Sequence, residues 1–512
     1  MPARICLVAL LIGAFSVAKT PLTAQQEPAE AAEREQAGGE AALLPDESVV
    51  TTHSTRIEGQ TVRYTATAGW LPIREDGVVA AKMFFVAYTR DDVEDLGARP
   101  LVFSFNGGPG TASVWMHLGY TGPRRVVYDD EGFAIIPPGT LEDNPHAILD
   151  VADIVYIDPV ATGYSRMVEG QDLHRYHGTQ ADIESVGEFI RLYLVRESRW
   201  QSPKFLIGES YGTTRASGLA GHLARRHRIY LNGIILVSMT DLDVEKGDDI
   251  AYATTLPQLS ATAWYHRQLP EDLHARQLQE VLDEAERFAM GEYLAALVQG
   301  DRIADAERDA VARGVARLTG VTTDYVLASN LRIDSRRFWK ELLRDQRLTV
   351  GRLDSRYLGI DRDAAGEHPE YDPAMADWNG AFSNAINRYL RDELRYQTDL
   401  AYNVWGDVRP WKRDEDIDVA EMLRQAMRDN PYLKVLIQGG YFDAATDYFG
   451  AMYTISHLQP GGELRNRFRF AWYESGHMMY LRRPDLQRAN DDVRAFVRWS
   501  MEDAQDYPRR AR

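Results

Sequence analysis

Lys204-Phe205-Leu206-Ile207-Gly208-Glu209-Ser210-Tyr211-Gly212-Thr213-Thr214-Arg215 is the stretch whose reading decides the fold. A short apolar run stops at Gly208, one serine stands between two glycines, and apolar positions then recur at helical spacing as far as Arg226. The pattern predicts a strand, a sharp turn and a helix. In such a nucleophile elbow the serine sits on strained backbone that lifts its hydroxyl above the sheet, and a Cβ at Gly208 or Gly212 would collide with neighbouring backbone. A bare glycine-serine-glycine turn is common by chance, but the flanking strand and helix make Ser210 a candidate nucleophile.

Upstream, Leu101 to Phe105 is an apolar strand running straight into Asn106-Gly107-Gly108-Pro109-Gly110. This loop lacks the lysine and serine or threonine of a phosphate loop, so its N–H groups read as donors to an oxyanion rather than to a nucleotide. Asp153 to Ile157 is another buried strand, followed by Asp158-Pro159-Val160-Ala161-Thr162-Gly163-Tyr164-Ser165, and Thr179 to Leu194 has helical periodicity. Before them, Val49 to Tyr88 is β-rich, with Thr61 to Thr67 alternating and Met83 to Tyr88 apolar throughout, as in antiparallel opening strands. Asn232 to Val237 is the next strand after the elbow. Strands alternating with helices imply an α/β fold, a mostly parallel sheet covered on both faces. Residues 246–425 break the alternation with amphipathic helices, including Asp272 to Leu297 and Ala304 to Leu318, and read as a helical cap inserted into a core of residues 49–245 and 426–512.

A serine hydroxyl needs a base to take its proton, and the base needs a carboxylate to fix its tautomer. The α/β pattern resumes with helix Val419 to Arg428, strand Leu433 to Ile437, helix Thr446 to His457, strand Phe468 to Trp472 and a final helix Asp491 to Met501. The first of these strands leads to Asp443 and the second to Gly476-His477. Of 12 histidines, His477 alone follows a predicted late strand with a glycine before it. Asp447 competes with Asp443, but it falls within the expected helix, whereas Asp443 stands at a strand end where the site residues of open sheets gather. Asp443 standing alone would read as a helix N-cap. No His-Glu-x-x-His or paired His/Asp cluster suggests a metal, and no cofactor is expected.

The 58 Lys and Arg against 76 Asp and Glu give a net charge of −18, which argues against nucleic acid or an anionic membrane surface as partner. Arg4, the apolar run Ile5 to Val17 and the stretch ending Leu22-Thr23-Ala24 have the order of a secretory signal, residues 1–24, too short to span a bilayer. Its removal takes the only cysteine, Cys6, with it. Residues 25–48, rich in Glu, Ala, Gln and Gly, are expected to be a disordered acidic linker. The mature protein is thus expected to be periplasmic or secreted, without stable membrane insertion.

With these residues assembled, the sequence resembles the serine carboxypeptidase family of α/β-hydrolases, in its bacterial branch. The resemblance rests on Asn106 to Gly110, Asp158 to Ser165, Gly208 to Gly212 and Gly476-His477. It implies Ser210 as nucleophile, His477 as base, Asp443 as acid, and an oxyanion hole from the N–H groups of Gly108 and Tyr211. It also implies that the side chains of Asn106 and Glu209 clamp the free C-terminal carboxylate of a peptide substrate. For that, Glu209 should hold its proton, since two carboxylates at hydrogen-bond distance raise the pKa of one of them. Three departures stand out: Thr111-Ala112-Ser113 replaces a cysteine and two serines, the Asp158-Pro159 turn is one residue shorter than the common form, and Tyr120 occupies the place of a glutamate that supports the clamp. An esterase or acyltransferase could use the same triad, and a binding protein could keep the fold without the chemistry. Retention of Ser210, Asp443 and His477 together speaks against the last.

Overall fold

The computed structural model describes residues 40–502 apart from 46, 243, 245, 246 and 415. The expected signal segment lies outside the described residues. Nine strands form the path of one large sheet: β1 (Val49–Ile57), β2 (Gln60–Glu75), β3 (Val78–Arg90), β4 (Leu101–Phe105), β5 (Asp153–Ile157), β6 (Lys204–Glu209), β7 (Gly233–Val237), β8 (Lys434–Gly440) and β9 (Phe468–Tyr473). Their spatial order is β1-β2-β3-β5-β4-β6-β7-β8-β9, with the short Arg166–Met167 strand beside β3. β1, β2 and β3 pair antiparallel, β3 joins β5 antiparallel, and every later pair is parallel. The sequence pattern follows this division. β1 and the first half of β2 alternate exposed and buried side chains, whereas β4, β5, β6 and β7 are buried at every position, as parallel strands covered on both faces must be.

Helices α1 (Thr179–Arg196), α2 (Tyr211–His222), α3 (Val419–Asp429) and α4 (Tyr448–Leu458) cover one face of the sheet, with Ile183, Leu219, Leu423 and Ile455 in a single apolar cluster. Helix α5 (Arg483–Ser500) covers the other, through Leu486, Val493 and Phe496. It begins eight residues before the expected Asp491, because Pro484 in its first turn is compatible with a helix start. The expected long helix from Asp272 is broken once: Glu271–His274 stands apart, and Leu278–Phe288 continues through a π-helical turn, Ala289–Tyr293, into Leu294–Gln299.

Two boundaries differ from the sequence reading. The linker stops short of Ser48: Ala41 and Leu44 are buried, and Pro45 O accepts a hydrogen bond from Trp70 Nε1 at 2.7 Å. A few apolar residues can dock even when the surrounding composition is that of a tether. The insertion is also not one cap. Residues between Ala253 and Val350 build a separate apolar core, but Ala374 through Val404 belongs to the sheet's own core, where Trp378, Phe382 and Tyr389 are buried. Tyr389 Oη accepts from Tyr88 Oη of β3 at 2.8 Å. The segment around 403–406 then pins the glycine loop, with Val404 O accepting from Ala112 N at 3.0 Å and Gly406 N donating to Gly110 O at 2.8 Å.

Candidate active site

Ser210 lies between β6 and α2 with φ 57° and ψ −127°, the strained conformation expected of the elbow. Its N–H donates to Val237 O at 3.0 Å, tying the turn to β7. Both flanking glycines are required by contact. A Cβ on Gly208 would stand 2.1 Å from Gly212 O, and one on Gly212 would stand 3.0 Å from the carbonyl oxygens of Phe105 and Asn106. Gly107 is equally constrained, with its Cβ position 2.4 Å from Tyr211 N, so the glycine loop and the elbow can meet only through bare backbone. Tyr211 opens α2, where the first N–H groups have no intrahelical acceptor. Ser210, Gly108, Pro109, Tyr211, Ala445 and Thr446 all line a cavity of about 670 Å³.

At the ends of β8 and β9 the structure brings Asp443 and His477 together. His477 Nδ1 and Asp443 Oδ2 are 2.8 Å apart, and both side chains are buried. Asp443 is held in turn by Ala445 N at 2.8 Å and Thr446 N at 3.1 Å on Oδ1, and by Thr446 Oγ1 at 2.7 Å on Oδ2. Asp447 does not lie inside α4 but caps it, accepting from Gly450 N at 2.5 Å. Burial alone would lower the pKa of His477; the Asp443 charge and hydrogen bond outweigh it and leave it raised, with a smaller push from Glu209. Since Nδ1 is engaged with Asp443, Nε2 is the ring nitrogen left for exchange with a hydroxyl.

A strap from the insertion locks this pair in place. Ala444 N donates to Arg352 O at 3.0 Å, His477 N to Leu353 O at 2.6 Å, Gly476 N to Asp354 Oδ2 at 3.2 Å and Ser355 N to Phe442 O at 2.9 Å. Asp354 is itself held by Arg356, whose Nη2 donates to Oδ2 at 2.5 Å. The strap sits within a stretch of sequence that carries no strand or helix signal, and nothing in its composition announces contact with Asp443 or His477.

Asn106 and Glu209 also come together and face each other. Both are buried, at 1% and 2% exposure. Asn106 Nδ2 donates to Glu209 Oε2, while Asn106 Oδ1 accepts from Met116 N at 3.1 Å. Tyr480 Oη donates to Glu209 Oε1 at 2.8 Å and stacks on Tyr120, ring centroids 5.0 Å apart. Gly119 leaves room for this ring, since a Cβ there would lie 2.6 Å from it. Their polar atoms are engaged with each other, Met116 N and Tyr480 Oη. Burial raises the Glu209 pKa to about 7, against the opposing effects of His477 and the Tyr480 hydrogen bond, in the direction expected from sequence.

Two supports had no assigned role in the sequence. Arg215 in α2 donates through Nε to Asp182 Oδ2 of α1 at 2.8 Å and through Nη1 to Asn106 O at 2.6 Å, fixing the glycine loop over the elbow. Asp158 accepts from Ser113 N at 2.8 Å and Tyr402 Oη at 3.2 Å, while its own carbonyl accepts from Ser165 Oγ at 2.6 Å, so the Asp158 to Ser165 motif is a scaffold for that loop. Among the described residues no cluster of three or more metal-ligating side chains occurs, and no helix is long and apolar enough to cross a membrane.

The sequence model of the serine carboxypeptidase family matches residues 57–292. Two curated relatives from Arabidopsis thaliana are similar: serine carboxypeptidase-like 36, 28% identical over 34% of this chain and 34% of that protein, and serine carboxypeptidase-like 29, 31% identical over 23% of this chain and 24% of that one. The matches thus span about a third or less of those relatives. Among solved structures, the prohormone-processing carboxypeptidase Kex1Δp of Saccharomyces cerevisiae superposes with a TM-score of 0.51 at 14% identity, covering 85% of this chain and 91% of that one. Residues 57–292 are thus similar to the serine carboxypeptidase family, and the fold as a whole is similar to that of Kex1Δp.

Proposed function

We propose that the protein is an exported serine carboxypeptidase, releasing C-terminal residues from peptides through an acyl-enzyme on Ser210. The observation that carries this reading is the buried His477–Asp443 pair at the strand ends, beside the cavity into which the Ser210 elbow opens. His477 Nε2 takes the Ser210 proton as Oγ attacks the scissile carbonyl, and Asp443 stabilises the imidazolium through Nδ1. The N–H groups of Gly108 and Tyr211 receive the oxyanion. His477 then gives the proton to the leaving amine, and water repeats the cycle on the ester. Export rests on residues 1–24, and cleavage after Ala24 is the expected processing.

An esterase or acyltransferase is the second reading, favoured by the burial of Asn106 and Glu209 and their hydrogen bond to each other. The test is to offer the purified mature protein a mixed peptide library and follow it by mass spectrometry, alongside a fluorophosphonate probe. Residues should leave one at a time from the C-terminus, and the probe should label the wild type at Ser210 but not Ser210→Ala. Label that survives the substitution sinks the nucleophile. Ester turnover with intact peptides moves the second reading ahead.

A further inference from the structure

Thr446 lies three residues beyond Asp443, in the turn that leads from β8 to α4, and the acyl-transfer steps make no use of it. Its backbone and its side chain grip the same carboxylate. Thr446 N donates to Asp443 Oδ1 at 3.1 Å, alongside Ala445 N at 2.8 Å, and Thr446 Oγ1 donates to Oδ2 at 2.7 Å. His477 Nδ1 reaches that same Oδ2 at 2.8 Å. These bonds occupy all the lone-pair directions of an ionised carboxylate. The N–H groups of Ala445 and Thr446 hold Oδ1 in a tight turn but leave the carboxylate able to hinge about that oxygen. The hydroxyl removes this freedom: with one residue bonded to both oxygens, the carboxylate plane is set, and one direction on Oδ2 remains for the ring. Threonine suits the task, because its branched Cβ restricts χ1 and the hydroxyl loses little freedom in being held.

Thr446 Oγ1 also stands 3.4 Å from His477 Nδ1. Its one proton is committed to Oδ2, so towards the ring it presents lone pairs, as Asp443 does. Facing acceptors from both residues, Nδ1 must carry the ring proton, and Nε2 is left bare. A hydroxyl turned the other way, donating to Nδ1, would favour the tautomer with its proton on Nε2, which cannot take one from Ser210. The bond to Oδ2 also draws negative charge from the oxygen that faces the imidazolium, and so tempers the pull of Asp443 on the base.

We propose that Thr446 is a positioning residue of the proposed triad: its hydroxyl sets the plane of the Asp443 carboxylate, holds His477 in the tautomer with Nε2 free, and moderates the charge that Asp443 presents to the ring. The other influences on His477 come from elsewhere. Burial disfavours the charged ring, Asp443 and Glu209 favour it, and Arg352 on the strap opposes it. Asp241 and Asp447 share a small cavity with Thr446. Thr446→Val alters none of these charges and keeps the branched shape, so it deletes the hydroxyl alone.

The inference rests on the Ser210, His477 and Asp443 reading, whichever acyl group is carried, and its readouts do not need peptide turnover. Ester kcat and KM are measured across pH for the full mature chain, and the proton on His477 Nδ1 is followed by proton NMR over the same range in a Ser210→Ala background. Thr446→Val should move the acid limb of kcat/KM and the His477 titration upward together, by about half to one pH unit, and should lower ester kcat about 10-fold. Thr446→Ser, which keeps the hydroxyl, should restore most of both. A fall in kcat with limb and titration unmoved would mean that Thr446 only fills space. A change in KM alone would mean that it touches substrate, and a serine variant no better than the valine one would mean that the hydroxyl is not the group at work. Each of these overturns the inference. Should the valine variant not fold, Thr446→Ala compared with Thr446→Ser decides on the same readouts. Ester turnover without release of residues from peptides removes the carboxypeptidase reading and leaves this test intact; probe labelling that survives Ser210→Ala removes the nucleophile and leaves the His477 titration to decide.

Discussion

At Glu209 the structure couples a buried acid to the proposed base. Burial lifts Glu209 to about 7, and when it ionises its charge pushes the His477 pKa upward. The two groups titrate as a pair, and the acid limb of kcat/KM reports the pair rather than His477 alone. Glu209→Gln keeps the shape: its amide oxygen can accept from Asn106 and its NH2 can donate to the Tyr480 oxygen. With no charge able to appear at 209, His477 loses protons more easily. The limb should therefore move to lower pH, by about half a pH unit. A pH profile on an ester substrate, which has no terminal carboxylate of its own to titrate, measures this; an unmoved limb would show that the two sites do not communicate. The triad candidates were legible because each stands where a predicted strand ends. The inward turn of Asn106 and Glu209 was not, since it depends on Tyr480, which arrives from 271 positions away in the chain.

Among the elements, α1 and α2 are joined under the glycine loop by one buried ion pair. Arg215 is 1% exposed and Asp182 4%, and Tyr211 Oη donates to the same Asp182 oxygen at 3.1 Å. Removing one partner leaves an uncompensated charge in the interior, which costs about 3–5 kcal/mol. Arg215→Met should lower stability by that order and also free the Asn106 carbonyl, loosening the loop that carries Gly108. The double variant Arg215→Met, Asp182→Leu should recover much of the stability but not the activity, because the hydrogen bond to Asn106 O stays lost. Urea denaturation and ester kcat measured on both variants check this. Recovery of both together would show that Arg215 does not position the loop. The strands and most core helices could be read from periodicity, which is a local property. The division of the insertion could not: Ala374 to Val404 has the same helical and aromatic character as the residues before it, and only its packing on β3 and the glycine loop separates it from the cap.

For the whole molecule, the sheet's cores enclose two carboxylic acids without a cationic partner in contact. Asp158 lies where β5, the glycine loop and the 402–406 segment meet, and burial raises it to about 6 against the hydrogen bond from Ser113 N. Glu209 lies at the end of β6, raised to about 7. Both folded pKa values stand above those of the unfolded chain, which binds fewer protons between the two sets of values. The stability these groups contribute is therefore fully present below the unfolded pKa, near pH 4, and is lost as pH rises through about 6 and then about 7. His477, raised by Asp443, acts in the same sense above its own unfolded value. Surface carboxylates paired with arginine work in the opposite sense, but only at lower pH, as at Glu421, held down to about 2. Between pH 5 and pH 8 the fold should thus lose on the order of a few kcal/mol, since each tenfold difference in proton affinity between the folded and unfolded chain is worth about 1.4 kcal/mol. Replacing both acids, as Asp158→Asn with Glu209→Gln, should remove most of that slope while leaving the stability at pH 5 within reach of the wild type. Urea midpoints at pH 5, 6.5 and 8 on the two proteins provide the comparison. If the slopes remain parallel, the acids are already hydrated or paired in solution, and the self-repulsion of a chain with a net charge of −18 would be what carries the pH dependence.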